Sequence, residues 1–330
     1  MLFVVLALAY LFEFANGWTD APNSIATVVS TRVLRPLPAV IMAATLNLVG
    51  ALVVGTAVAK TIASGIVDPA FVTLGTIAAA VLAATLWALS AQSLGLPSSE
   101  SHALVAGLLG AGFATGGLEA LEWSGTWKSL IGLVTSPVGG FVVGLLLMVA
   151  IYRLFAKVRR PTVSRIFGRG QILSAGFMAF SHGTNDAQKT MGIIALAFYL
   201  NEAGTLGADA ELTIDLWMIV SAAVVMGVGT MVGGWRVIRT MGMRLTHLEP
   251  VNGFAAETAA ATIITAAASV GIPVSTTHAI GSAIMGVGAT RRLSAVRWGV
   301  AGEVVAAWLM TWPSCMVLGY ALATLFTWIG

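Results

Sequence analysis

Apolar runs of about 20 residues follow one another from end to end of this chain, and that repetition limits the fold more than any motif does. We place ten of them, at residues 3–31, 38–59, 71–96, 101–117, 130–152, 171–200, 216–235, 250–271, 275–290 and 298–327. A run of that length spans a bilayer core. Inside lipid the backbone has no water to bond to, so such a run becomes a helix. Hydrophobic residues make up 58% of the chain and charged residues 9%. Soluble domains carry roughly 25% charged residues, so this chain cannot clothe a water-facing surface. The expected class is an all-α polytopic membrane protein, with the lipid bilayer as its first partner. The single cysteine, Cys315, excludes an internal disulfide. The first residues are apolar from Leu2 with no basic stretch before them, so no cleaved signal is expected.

The charges orient the runs. With the N-terminus outside, Arg32 and Arg35, the six basic residues from Arg153 to Arg169, Arg236, Arg239 and Arg244, and Arg291, Arg292 and Arg297 all fall in the cytoplasm. That is 14 of the 17 Lys and Arg; Lys60 and Lys128 fall outside, and Lys189 lies within a run. The acidic residues Glu202, Asp209, Glu211 and Asp215 fall outside. Cytoplasmic loops hold the excess of basic residues, so both termini are expected outside the cell membrane. The basic loops thus have a topological reason, and a pI near 9.3 implies no nucleic acid. Five runs on each side of the middle make the second half start from the opposite face. We therefore expect an inverted repeat of two five-segment halves: residues 1–152, a short basic cytoplasmic linker at 153–170, and residues 171–330. This is an architecture of secondary transporters.

Two pairs of motifs carry the duplication. "GLPSSESHALVAGLLGAG" from Gly95 and "GIPVSTTHAIGSAIMGVG" from Gly271 agree at seven of 18 positions without a gap. "GWTDAPN" from Gly17 and "GTNDAQK" from Gly183 share Gly, Asp and Ala. Pro22 removes a helical hydrogen bond and Gly17 loosens the backbone before it, so broken helices are expected there. Asp20 and Asp186 fall near mid-membrane, where a charge costs several kcal/mol and usually marks a pathway. A structural polar pair between helices is the plainer alternative. In the other motif a Pro enters a break, hydroxyls follow, and a helix resumes. Ser and Thr there cap free amides. The same amides and the positive dipole end also suit an oxyanion. Two such re-entrant loops pointing to the midplane from opposite sides would grip a tetrahedral anion. His102 and His278 sit just inside the resuming helices, to pack or to touch substrate. Hydroxyls and amides suit an anion, yet the carboxylates repel one. The conflict disappears if protons or cations travel with it, which argues for symport.

These residues resemble the PiT inorganic phosphate transporters, secondary symporters of phosphate with sodium ions or protons. "GWTDAPNS", "PSSESHAL", "SHGTNDAQ" and "PVSTTHAI" occur here in the family's order, and "GFAAETAAA" from Gly253 is similar to its segment ending in Glu257. The resemblance covers nearly the whole chain. It implies phosphate held by Asp20, Asn23, Ser98, Ser99, Ser101, Asp186, Ser275, Thr276 and Thr277. Coupling-ion positions are expected at Asp20, Asp186, Glu100 and Glu257, with Asn185, Lys189, His102 and His278 beside them. No organic cofactor and no resident metal are implied; the co-transported ion is H⁺ or Na⁺. The chain departs from the pattern at Trp18-Thr19, at Glu100 inside the first loop, and at Lys189, which stands where the first repeat has Asn23. Lys189 lies three residues after Asp186, about one turn along a helix, so the two can pair on one face. An ammonium there competes with sodium, which favours protons. Sulfate or another tetrahedral oxyanion on the same fold, an intramembrane hydrolase and a channel are the rivals. The hydrolase lacks a Gly-x-Ser-x-Gly elbow. The number of copies stays open, a homo-oligomer included.

Overall fold

The anticipated runs become helices because an apolar backbone out of contact with water must satisfy its own hydrogen bonds. The structure is a computed structural model that describes residues 1–53, 55–203 and 212–329. The first half contains α1 (Leu2–Ser30), α2 (Pro36–Val53), α3 (Ala57–Ser64), α4 (Leu74–Leu94), α5 (Glu100–Gly116) and α6 (Trp123–Leu154). The second contains α7 (Arg160–Ala203), α8 (Leu216–Val232), α9 (Trp235–Arg239), α10 (Pro250–Ser269), α11 (Thr276–Ala289) and α12 (Trp298–Ile329). A π-helical turn, Thr240–Arg244, prolongs α9. Among the described residues there is no strand, only one bridge between Val67 and Leu121. Asp209 and Glu211 lie outside the described residues.

Six of these helices are long and apolar enough to cross a membrane, and a seventh span forms if α8 and the bent segment after it count as one. Their outer faces expose large apolar side chains such as Phe3, Leu37, Leu146, Leu173 and Val317, as lipid contact requires. The interior is built differently. Residues 19–28 of α1, 181–197 of α7, 100–112 of α5 and 276–289 of α11 are buried without a break. A helix buried all round belongs at the centre of a large assembly of helices. These four form that centre. α1 and α7 lie side by side in opposite directions, with Thr31 meeting Gln171, Asp20 meeting His182 and Glu13 meeting Thr190.

The breaks fall elsewhere than expected. α1 runs through Pro22 as one helix, and α7 passes Gly183 to Lys189 without interruption. The carbonyl of Trp18, which loses its bond to the missing Pro22 N–H, faces the backbone of Gly234, and the Trp18 ring donates to the Gly233 carbonyl at 3.2 Å. The repeated motif glycine is there for close approach. A Cβ on Gly17 would strike the carbonyl of Met226 in α8, and one on Gly183 the carbonyl of Asn47 in α2. The broken span lies in the neighbour instead: α8 bends by 62° into the segment after Gly233. The first half has its own interruption at the matching place, between α2 and α3. α7 also begins at Arg160 rather than near Gln171, so most of the basic stretch is helical.

The two Pro-hydroxyl-His motifs form hairpins. α4 ends at Gly95 in the left-handed conformation (φ 71°), and Gly271 repeats it after α10 (φ 70°). Each glycine turns the chain back into the molecule. Ser99 then caps α5, accepting from the His102 N–H at 3.3 Å. Ser275 caps α11 likewise, accepting from His278 N–H at 3.1 Å. Each hairpin is held from the other half: Thr240 donates to the Gly95 carbonyl at 2.9 Å, and Thr61 to the Gly271 carbonyl at 2.8 Å.

Candidate functional site: a polar chamber where α1, α5, α7 and α11 meet

The duplicated motifs converge on one buried place. α1 and α7 bring their aspartates to it from their middles, and α5 and α11 bring their N-termini. Thr277 donates to Asp20 Oδ1 at 3.0 Å, and Thr276 to Asp186 Oδ2 at 3.3 Å. The Asn23 amide donates to both hydroxyls, at 3.1 Å to Thr276 and 2.9 Å to Thr277. On the α5 side, Ser101 donates to the Val274 carbonyl at 2.9 Å, and Asn185 donates to the same carbonyl at 3.0 Å and to Asp186 Oδ1 at 2.7 Å. The first loop thus touches the second, and both touch α7. All of these side chains are buried.

Two basic side chains are built in. Lys189 Nζ lies 3.2 Å from Asp186 Oδ1 and donates to Ser101 Oγ at 3.0 Å, so the pair anticipated from the spacing is present. His182 Nε2 lies 3.0 Å from Asp186 Oδ2 and 3.9 Å from Asp20 Oδ2, while its Nδ1 faces Asn47 Oδ1 at 3.3 Å. Asp20, His182 and Asp186 bring one ligand atom each to within 4.8 Å of one another, close enough to surround a small cation. Lys189 already covers one side of that space. Sequence analysis passed over His182. Its signal was present: a His four residues before Asp186 shares that residue's helix face.

Glu100 stands apart from these basic side chains. It accepts from Thr19 at 2.8 Å and from Ser98 at 3.2 Å through Oε1, and Oε2 has no partner. Thr19, which the sequence marked only as a departure from the family pattern, joins Glu100 to α1. Ser99 and Ser275 serve as helix caps, as above, and each keeps its own hydroxyl proton for another acceptor. His102 and His278 pack on each other with ring centroids 4.8 Å apart, and His278 stacks on Trp308 at 4.1 Å. The His102 ring nitrogens have no hydrogen-bond partner among the described residues. They fill the space between the two hairpins rather than meeting the aspartates. Glu257 of α10 meets α1 further along, accepting from Thr27 at 2.5 Å, from Gln171 at 3.2 Å and from Ser174.

Buried carboxylates, ammonium, amides and hydroxyls around two facing helix N-termini make a place for an anion accompanied by positive charge. Known proteins agree with that chemistry. The family model described as the phosphate transporter family matches residues 16–162 and 155–319. A probable low-affinity inorganic phosphate transporter of Rhizobium meliloti (strain 1021) is 46% identical over 314 residues, covering 95% of this chain and 93% of that protein. One of the same description from Bacillus subtilis (strain 168) is 41% identical over 321 residues, covering 97% and 94%. Among solved structures, a sodium-dependent phosphate transporter superposes with a TM-score of 0.89 at 24% identity, over 100% of this chain and 99% of that one. The chain belongs to the phosphate transporter family.

Proposed function

We propose that this protein imports inorganic phosphate across the cell membrane together with protons. The observation that carries the coupling is Lys189 Nζ at 3.2 Å from Asp186. A fixed ammonium stands where a sodium ion would otherwise balance that carboxylate, and the matching place beside Asp20 holds neutral Asn23. The solved neighbour is described as sodium-dependent; it shares the fold at an identity that leaves this chain's ion open.

Phosphate lies between the N-termini of α5 and α11, held by Ser98, Ser99, Ser101, Ser275, Thr276 and Thr277 with Asn23 and Asn185. The dipole ends of the two helices oppose its charge. Asp20, Asp186 and Glu100 take the protons or accept its hydrogen bonds, and Glu257 is a further coupling position. Phosphate can donate a hydrogen bond to a carboxylate where sulfate at neutral pH cannot. His102 and His278 keep the two hairpins in register. Residues 1–152 and 171–330 form the two inverted repeats on either side of the basic stretch 153–170, with both termini outside. Antiparallel α1 and α7, and the reciprocal hold of each half on the other's hairpin, support that symmetry. Nothing in this scheme requires a covalent step.

Uptake of labelled phosphate into proteoliposomes, with proton and sodium gradients imposed separately, tests the reading. An inward proton gradient is expected to drive uptake, a protonophore to abolish it, and sulfate to compete poorly. Uptake driven by sodium alone and indifferent to the protonophore would overturn it.

A further inference from the structure

One fully buried carboxyl has no part in the chamber. Glu13 lies seven residues before Asp20 on α1, two helical turns away on the same face, and is 0% exposed. Thr190 of α7 donates to its Oε2 at 2.5 Å, and its Oε1 has no close hydrogen bond among the described residues. Asn16, between it and Asp20 on that face, is also fully buried; its side chain turns toward Glu13 and makes no close hydrogen bond to any other described residue. Unpaired buried polar atoms are rare and expensive, at about 1–3 kcal/mol each. A carboxyl and an amide tied so loosely within one turn of one buried helix need a reason.

The stripe they belong to supplies one. Glu13, Asn16, Asp20, Asn23 and Thr27 follow at spacings of three and four, so they share one face of α1. α7 runs antiparallel beside them, adding Thr190, Lys189, Asp186, His182 and Ser174 in the reverse order. The stripe ends in a carboxyl at each extreme: Glu13 at one, Glu257 beside Thr27 at the other. Lys189 and Asp186 are the charged groups that act on Glu13. α4 and α8, which also pack on α1, carry no acidic or basic residue, and the nearby Tyr10 hydroxyl donates to Ser221 at 2.8 Å.

We propose that Glu13, with Asn16 and Thr190, is a proton station on the route between one side of the membrane and the aspartates. This rests on the proton-coupled reading above. A sodium site is a poorer match: the Thr190 proton points at Glu13, which leaves too few free oxygens to replace a hydration shell. A proton needs only the open Oε1, with the Asn16 amide turning to serve either protonation state.

The test compares two processes in the same proteoliposomes: net uptake driven by a proton gradient, and exchange of internal for external phosphate at one pH, which moves no net protons. In Glu13→Gln the isosteric amide still accepts from Thr190. Gradient-driven uptake is expected to fall at least about tenfold while exchange stays within about twofold, and Glu13→Asp should recover part of the uptake. Wild-type accumulation in Glu13→Gln, with wild-type uptake itself proton-driven, overturns the station alone. Equal loss of uptake and exchange in both variants, with unchanged melting temperature, shows a packing role and also overturns it. Wild-type uptake that follows sodium rather than protons sinks the larger reading and this one with it.

Discussion

Lys189 is fully buried in a helix that crosses the centre of the molecule, and its ammonium is tied to Asp186 and Ser101. A buried pair of this kind adds little net stability, because desolvation offsets attraction. Breaking it is another matter. Removing one member leaves a bare charge inside and typically costs about 3–5 kcal/mol. Lys189→Gln should therefore lower the melting temperature sharply and abolish uptake. Asp186→Asn combined with Lys189→Gln restores neutrality and should melt close to the wild type while still failing to transport. Melting in detergent separates the two; a single variant as stable as the double one would remove the pair from the account. Residue spacing alone made this pair legible, since three residues is nearly one turn. It made His182 equally legible, at four residues before Asp186. What spacing could not supply is the second contact of His182, with Asn47, 135 positions away.

At the scale of elements, the two hairpins matter most, because they aim the N-termini of α5 and α11 into the chamber. Each turns on a left-handed glycine whose carbonyl a threonine of the other half takes: Thr240 holds Gly95 and Thr61 holds Gly271. An L-residue in that conformation costs roughly 1–2 kcal/mol. Gly95→Ala and Gly271→Ala should each lose about that much stability and lose uptake with it. Gly75→Ala, in the first turn of α4, meets only the Thr73 hydroxyl at 3.5 Å and should be neutral or slightly stabilising. Thermal melting of the three variants checks this, and equal behaviour would dissolve the argument. Proline and glycine told less about helix continuity. Pro22 sits inside a continuous α1, and the bend of α8 after Gly233 lets the Gly234 backbone pack closely on Trp18 and Pro22 there. That close packing comes from another part of the chain, so the local sequence suggested a break where none exists.

For the whole molecule the orientation is what remains to be tested. Thr162 is exposed in the first turn of α7, at the basic stretch that the charge bias assigns to the cytoplasm. Cys315 is fully buried, so Cys315→Ala gives a background in which a Thr162→Cys substitution is the one thiol. A membrane-impermeant maleimide should label it only after the membrane is opened. Labelling of intact cells would reverse the topology and with it the direction of the two halves.

Composition and apolar periodicity determined the class and the approximate place of most helices, because a bilayer forces a run of apolar residues into one kind of structure; their number and several of their ends were decided elsewhere. The duplicated motifs determined which residues would matter, since intramembrane charges and loop hydroxyls are too expensive to lie in lipid. Tertiary structure decided where the chain breaks, which hydroxyls cap and which face carboxylates, and that Glu100 reaches α1 through Thr19. It also decided that two histidines fill space between hairpins while a third stands between the aspartates. Those outcomes turn on contacts between residues far apart in the chain, and side-chain geometry across packed helices leaves no trace in local sequence.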